Sequence, residues 1–223
     1  MTTLAESTGS ARGAGESLAE YAYRRLRDRL VLLDIEPGAP MGESWLAPEL
    51  DVGRTPLREA LKRLESDHLV VTYARRGTFA ANIDLTELSE ISEMRHALVP
   101  LAARRAAAHS GGWVRQQLAE ARDTVQDLGE STSRRELLQC DLRIHRLINA
   151  AAQSPHLEET LVRLDNLVTR MWCAMLERIP PMAEHVQDHL GLITAILEGD
   201  PERAEDLALH HVRHFDRVVR SVL

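Results

Sequence analysis

Apolar residues recur every three to four positions along most of this chain, which predicts helices. From 17 to 33 (SLAEYAYRRLRDRLVLL), Leu18, Tyr21, Ala22, Leu26, Leu30 and Leu33 share one face, with Arg24, Arg25 and Arg27 largely off it. IEPGAP (35–40) is a turn, because Pro37-Gly38 and Pro40 forbid a continuing helix. A short helix follows at 43–50, then a DVGR turn, then GRTPLREALKRL (53–64). In that stretch Thr55 is the expected N-cap and Pro56 the first helical residue, since its fixed φ suits the position and its missing amide had no partner. Leu57, Ala60, Leu61 and Leu64 form the buried face. After Asp67-His68 the pattern turns β-branched and aromatic. LVVTYA (69–74) and TFAANI (78–83) read as two strands around an Arg75-Arg76-Gly77 turn.

From 84 onward the helical period returns and does not stop. Candidate helices cover 85–108, 112–129, 134–152, 156–178, 182–198 and 201–222, separated by SGG, ESTS, QSP, IPP and EGDP. The fold class is therefore mainly α: an N-terminal winged helix-turn-helix with a small β-hairpin wing at 17–83, then an all-α bundle of six or seven helices at 84–223. Residues 1–16 carry no apolar signal core and read as a disordered lead-in.

Helix, helix, turn, helix and hairpin is the order in which a third helix reads the major groove and a wing touches the backbone or minor groove. The outer face of 53–64 suits that task. Arg54, Thr55, Arg58 and Lys62 crowd the early turns, Arg76 and Gly77 mark the hairpin tip, and unpaired helix amides favour phosphate. The alternative is a solvated basic face on an ordinary surface helix. A net charge of −7 over 223 residues argues against coating nucleic acid indiscriminately, so the basic patch is local. No apolar run approaches the ~20 residues that span a bilayer. Two cysteines, Cys140 and Cys173, have no motif spacing; the expectation is a reducing cytoplasm and no membrane partner.

Several polar side chains fall where apolar ones belong. On 134–152 the buried stripe is Leu137, Cys140, Ile144, Ile148 and Ala151, with Asp141 inside it and His145 at its edge. On 201–222 His211 lies near the centre of the stripe, and His189 flanks Ile193 and Ile196 on 182–198. A buried carboxylate is costly unless paired or bound to a cation, and neutral imidazoles are common ligands. Asp141, His145, His189 and His211 are thus a candidate His₃Asp metal site; otherwise Asp141 caps or pairs locally and the histidines are ordinary helix-face residues. Arg95 sits among Leu88, Ile91, Val99 and Ala102, where a guanidinium wants a carboxylate, either from a ligand or from Asp141 or Asp165. Asn166 and Arg170, on a helix apolar around most of its circumference, are candidates to line the same cavity. No spare carboxylate is evident on the buried stripes.

The motif PG…E…LA..L.V.RTP.REAL..L, continuing to RRG.F and matched from Pro37 to Phe79, resembles the DNA-binding domain of the GntR family of bacterial transcription regulators. That resemblance implies that Arg54, Thr55 and Arg58 contact operator bases or phosphates, with Arg76 and Gly77 at the wing tip. Gly53 and Ser44 depart from the usual Ser/Thr and Arg, which alters operator preference or removes a phosphate contact. Residues 86–222 resemble the helical effector-binding FCD domain of the FadR-type branch. Its D…H motif falls on Asp141 and His145, and its H……A….D……….H motif on His189, Ala195, Asp200 and His211. The resemblance implies a divalent ion, zinc first and nickel or another as alternatives, and a small carboxylic acid bridging it to Arg95. Val99 stands where many relatives have Glu.

The expected protein is a metabolite-responsive regulator that binds a pseudo-palindromic double-stranded operator as a homodimer. The competing expectation is a metal-dependent hydrolase on the helical domain, since three imidazoles and a carboxylate suit a hydrolytic zinc.

Overall fold

The computed structural model describes residues 12–13, 15–109, 111–129, 132–176, 178 and 183–222. Most of the lead-in at 1–16 and the IPP turn at 179–181 lie outside the described residues, as do Ser110, Glu130 and Ser131 of two predicted linkers. Within the lead-in, Glu16 is held by Arg24 at 3.0 Å. The chain divides into two compact units, Met1–Asn82 and Ile83–Leu223.

The first unit packs α1 (Leu18–Val31), α2 (Glu43–Glu49) and α3 (Arg54–Ser66) with a hairpin of β1 (Val70–Tyr73) and β2 (Gly77–Ala80). Ser17 caps α1 by accepting from the Glu20 amide at 3.1 Å. The buried face of α1 is Ala22, Tyr23, Leu26, Leu30 and Val31, turned slightly from the predicted one, and Leu18 is exposed. Tyr23 explains the turn: its hydroxyl donates to Asp67 at the end of α3 (2.6 Å), and the Arg63 guanidinium covers its ring at 3.9 Å.

Helix α3 starts two residues early. Its cap is Gly53, with no side-chain hydrogen bond, so Thr55 is not the N-cap. Pro56 becomes the third helical residue, still inside the first turn, where its missing amide costs nothing. Leu57, Ala60, Leu61 and Leu64 are buried as the spacing predicts. The strands pair antiparallel from Val70↔Ala80 to Tyr73↔Gly77, which places Gly77 in the ladder rather than the turn. Arg75 (φ 63°) and Gly77 (φ 95°) both take left-handed backbone to close the tip. The chain before α2 lends a further edge, with the Met41 amide donating to the Thr78 carbonyl at 2.8 Å.

The second unit contains α4 (Leu88–Ala108), α5 (Trp113–Gln126), α6 (Arg134–Ala151), α7 (Pro155–Met175), α8 (Ala183–Gln187), α9 (His189–Glu198) and α10 (Pro201–Arg220) among the described residues. Helix α4 is the central post, with α10, α6, α7 and α9 packed against it. Its buried Ala102, Ala103, Ala106 and Ala107 let those neighbours approach closely. Local signals set the helix ends. Ser133 and Glu136 form a reciprocal capping box on α6, Gly199 ends α9 in left-handed backbone (φ 73°), and Asp200 caps α10 through the Arg203 amide. The helix predicted over 182–198 is interrupted at Asp188; the Val186 carbonyl there accepts from the His189 ring.

Candidate metal centre

Four polar side chains from three helices converge inside the second unit. Asp141 and His145 lie one turn apart on α6, His189 opens α9, and His211 is midway along α10. One donor atom from each lies within 4.8 Å of all the others, and all four residues are buried. The Nε2 of His145 is 3.4 Å from that of His189 and 3.3 Å from that of His211. Asp141 approaches through Oδ2 to His145 (3.9 Å) and Oδ1 to His189 (3.8 Å).

Protonation decides what this cluster can hold. The His189 Nδ1 lies 3.1 Å from the Val186 carbonyl, which can only accept, so Nδ1 carries the proton and Nε2 offers its lone pair inward. Burial holds His145 and His211 below the ordinary imidazole range and pushes His189 down to about 3. Burial alone would raise the Asp141 carboxyl, but His145, His185 and His189 around it hold it well below the usual carboxylate range. Neutral imidazoles therefore face an ionised carboxylate whose buried Oδ1 has no hydrogen-bond partner. One proton on His145 Nε2 can bridge to only one of its two neighbours. A divalent cation would satisfy every one of these atoms, so the donor set fits such an ion.

A fourth imidazole was not anticipated. His185 on α8 brings its Nε2 to 3.4 Å from Asp141 Oδ1, and its ring lies 4.4 Å from His211 and 4.8 Å from Trp172. Its spacing of four from His189 was the available signal.

Arg95 is buried and its Nε donates to Asp165 at 3.0 Å, while Asn149 donates to the other Asp165 oxygen at 2.9 Å. The partner offered by the sequence as an alternative to a ligand is thus present. Arg95 Nη1 remains buried without a hydrogen-bond partner, and its guanidinium lies 5.6 Å from the Phe215 ring centroid. Asn166 is fully buried but turns to Arg146 on α6 at 3.4 Å. Arg170 is also buried, and burial pushes it down to about 10. Spare carboxylates do exist: Asp165 and Asp216 are both buried, contrary to the stripe reading. Neither is a free base, since Arg95 and Asn149 hold the first and Ser92 donates to the second at 2.7 Å.

In the first unit Arg54, Thr55, Arg58, Lys62, Arg76 and Gly77 are all exposed. Arg58 is already engaged through Nε by both oxygens of Glu43 on α2, at 2.8 and 3.0 Å. Among the described residues no helix is long and apolar enough to cross a membrane.

Residues 90–214 match the FCD domain family, and residues 18–80 match the family described as bacterial regulatory proteins, gntR family. The chain is 24% identical to the HTH-type transcriptional repressor RspR of Escherichia coli (strain K12), over 91% of its own length and 89% of that protein. It is 28% identical to the Nta operon transcriptional regulator of Aminobacter aminovorans, over 83% of its length and 87% of that protein. Its fold is shared by the solved structure of E. coli McbR/YncC, with a TM-score of 0.78 at 21% identity, covering 92% of this chain and 98% of that one. These relatives are transcriptional regulators, and nothing in the comparisons favours the hydrolase expectation.

Proposed function

The chain belongs to the GntR family of bacterial regulatory proteins and carries an FCD domain, and on that premise we propose that it binds a pseudo-palindromic operator as a homodimer whose affinity is set by a small carboxylic acid held at a divalent metal. Arg54, Thr55, Arg58 and Lys62 form the surface of α3 that enters the major groove, and Arg76 and Gly77 touch the backbone or minor groove from the wing. The Glu43 carboxylate holds Arg58 by Nε, so the arginine enters the groove with its fork already oriented.

In the second unit Asp141, His145, His189 and His211 hold the ion. Zinc suits three imidazoles and a carboxylate, and nickel accepts the same set. When bound, the ion supplies positive charge and an open coordination position for an acid. Arg95, through its unpaired Nη1, takes the other end of that acid. Asn166 and Arg170 line the surrounding wall. An acid bound more tightly in one arrangement of the protein than another shifts the population between them and so changes operator affinity.

The observation that carries this reading is the convergence of four buried side chains with donor atoms within 4.8 Å, one of them a carboxylate whose buried Oδ1 has no hydrogen-bond partner. The test pairs two measurements on the full chain: binding to a duplex selected by the protein from random sequence, and metal content. Arg58→Ala is expected to abolish duplex binding with metal content unchanged, and His211→Ala to lose metal. Wild-type affinity in Arg58→Ala removes the groove-reading role, and unchanged metal content in His211→Ala removes the site.

A further inference from the structure

We propose that His185 is a fifth, removable metal ligand, which in the resting protein fills the coordination position that an acidic effector must take. The inference rests on the metal reading above and concerns a residue outside its four ligands.

Distance is the first reason. His185 Nε2 stands 3.4 Å from Asp141 Oδ1, nearer than His189 Nε2 (3.8 Å) to the same oxygen. Donors at ~2.1 Å from a common ion are separated by roughly 3.0–3.4 Å when they occupy neighbouring positions. Toward Asp141, His185 stands at ligand spacing, and its ring overlaps that of His211 at 4.4 Å with 31° between planes.

Position is the second. The other faces of His185 meet Trp172 edge-on at 4.8 Å and Phe215 at 5.6 Å. Phe215 is also the ring beneath the Arg95 guanidinium. His185 and Arg95 therefore meet the same ring, so an acid in the place of His185 can run along Phe215 toward the guanidinium. Two donors in this neighbourhood are buried without partners, Trp172 Nε1 and Arg95 Nη1. Both suit a carboxylate and neither suits an imidazole already turned to the ion.

Attachment is the third. Of the five residues of α8, only His185 and Val186 are buried. Little apolar surface holds this turn in place, so withdrawing one imidazole costs little. In such an exchange the Nε2 lone pair would leave the ion, a carboxylate oxygen would replace it, and the acid's second oxygen would be left for Trp172 and Arg95.

Cobalt(II) loading of the full chain tests this through visible absorption, which reports the number and type of donors. His185→Phe keeps an aromatic ring against Trp172 and Phe215 but removes the donor; His185→Gln serves if the first variant fails to fold. The expected result is a shifted cobalt spectrum in the variant. Azide, used as the probe anion, should bind the variant about tenfold more tightly, because its position no longer has to be vacated first. Superimposable spectra together with equal azide affinity would overturn the role of His185. Wild-type protein that takes up no cobalt would instead overturn the metal reading beneath it.

Discussion

Arg95 and Asp165 form an ion pair at 3.0 Å with both side chains at most 5% exposed, and Asn149 occupies the oxygen that Arg95 leaves free. One guanidinium nitrogen of Arg95 has no share in this arrangement. The pair therefore sets the arginine in a fixed pose while reserving one donor, which is how a buried cation is kept ready for an anion without being left bare.

Asp165→Asn should strand that cation. Breaking a buried pair from one side costs about 3–5 kcal/mol, whereas replacing both partners with apolar residues of similar volume is often neutral. Urea unfolding of Asp165→Asn, and of Arg95→Met/Asp165→Leu together, separates the two cases. The double variant should be the more stable.

Metal removal should destabilise the native protein. An ion at a hundredfold excess over its dissociation constant contributes about 2.7 kcal/mol. Calorimetry with and without a chelator should show a lower melting temperature for the stripped protein. His211→Ala should melt alike in both conditions; a chelator effect that persists there would place the ion elsewhere.

The Tyr23 phenol predicts the alkaline behaviour of the first unit. Burial, with the hydrogen bond to Asp67 second, pushes it from 10.0 up to about 12. The folded state thus keeps a proton that the unfolded chain gives up. The associated stability is fully present below pH 10 and is lost as pH rises toward 12. Unfolding midpoints measured across that window should fall less steeply in Tyr23→Phe than in the wild type.

Gly77 isolates a purely conformational cost. A Cβ there meets nothing within 4 Å, yet φ is 95°, where an L side chain is strained. Gly77→Ala should therefore destabilise the hairpin by about 1 kcal/mol. Native-state hydrogen exchange of the β1 and β2 amides should accelerate roughly fivefold. Unchanged exchange would mean that the tip relaxes to another turn.

What the sequence could and could not reveal follows from how each residue signals. Asp141, His145 and His211 were legible because their helices have a clear apolar stripe and these residues interrupt it. Asp165 was legible only as one of two possible partners for Arg95, because α7 buries Leu161, Leu164, Asn166, Val168 and Met171 around most of its circumference and has no polar side to contrast with. His185 was hidden by reading 182–198 as one helix, when a side chain takes a backbone carbonyl at its break. The cap of α3 falls two residues before the expected one because Thr55 and Gly53 are both acceptable caps, and the proline tolerates either start.

The bond between His189 and the Val186 carbonyl ties an imidazole's proton to the course of the main chain. If α8 shifts enough to release that carbonyl, the proton is free to settle on the other nitrogen, and a donor turns into a group that repels cations. Ion retention and the pose of one short turn are then a single variable seen from two ends. Whatever pulls on the turn would loosen a bound ion, and the ion would stiffen the turn to an equal degree.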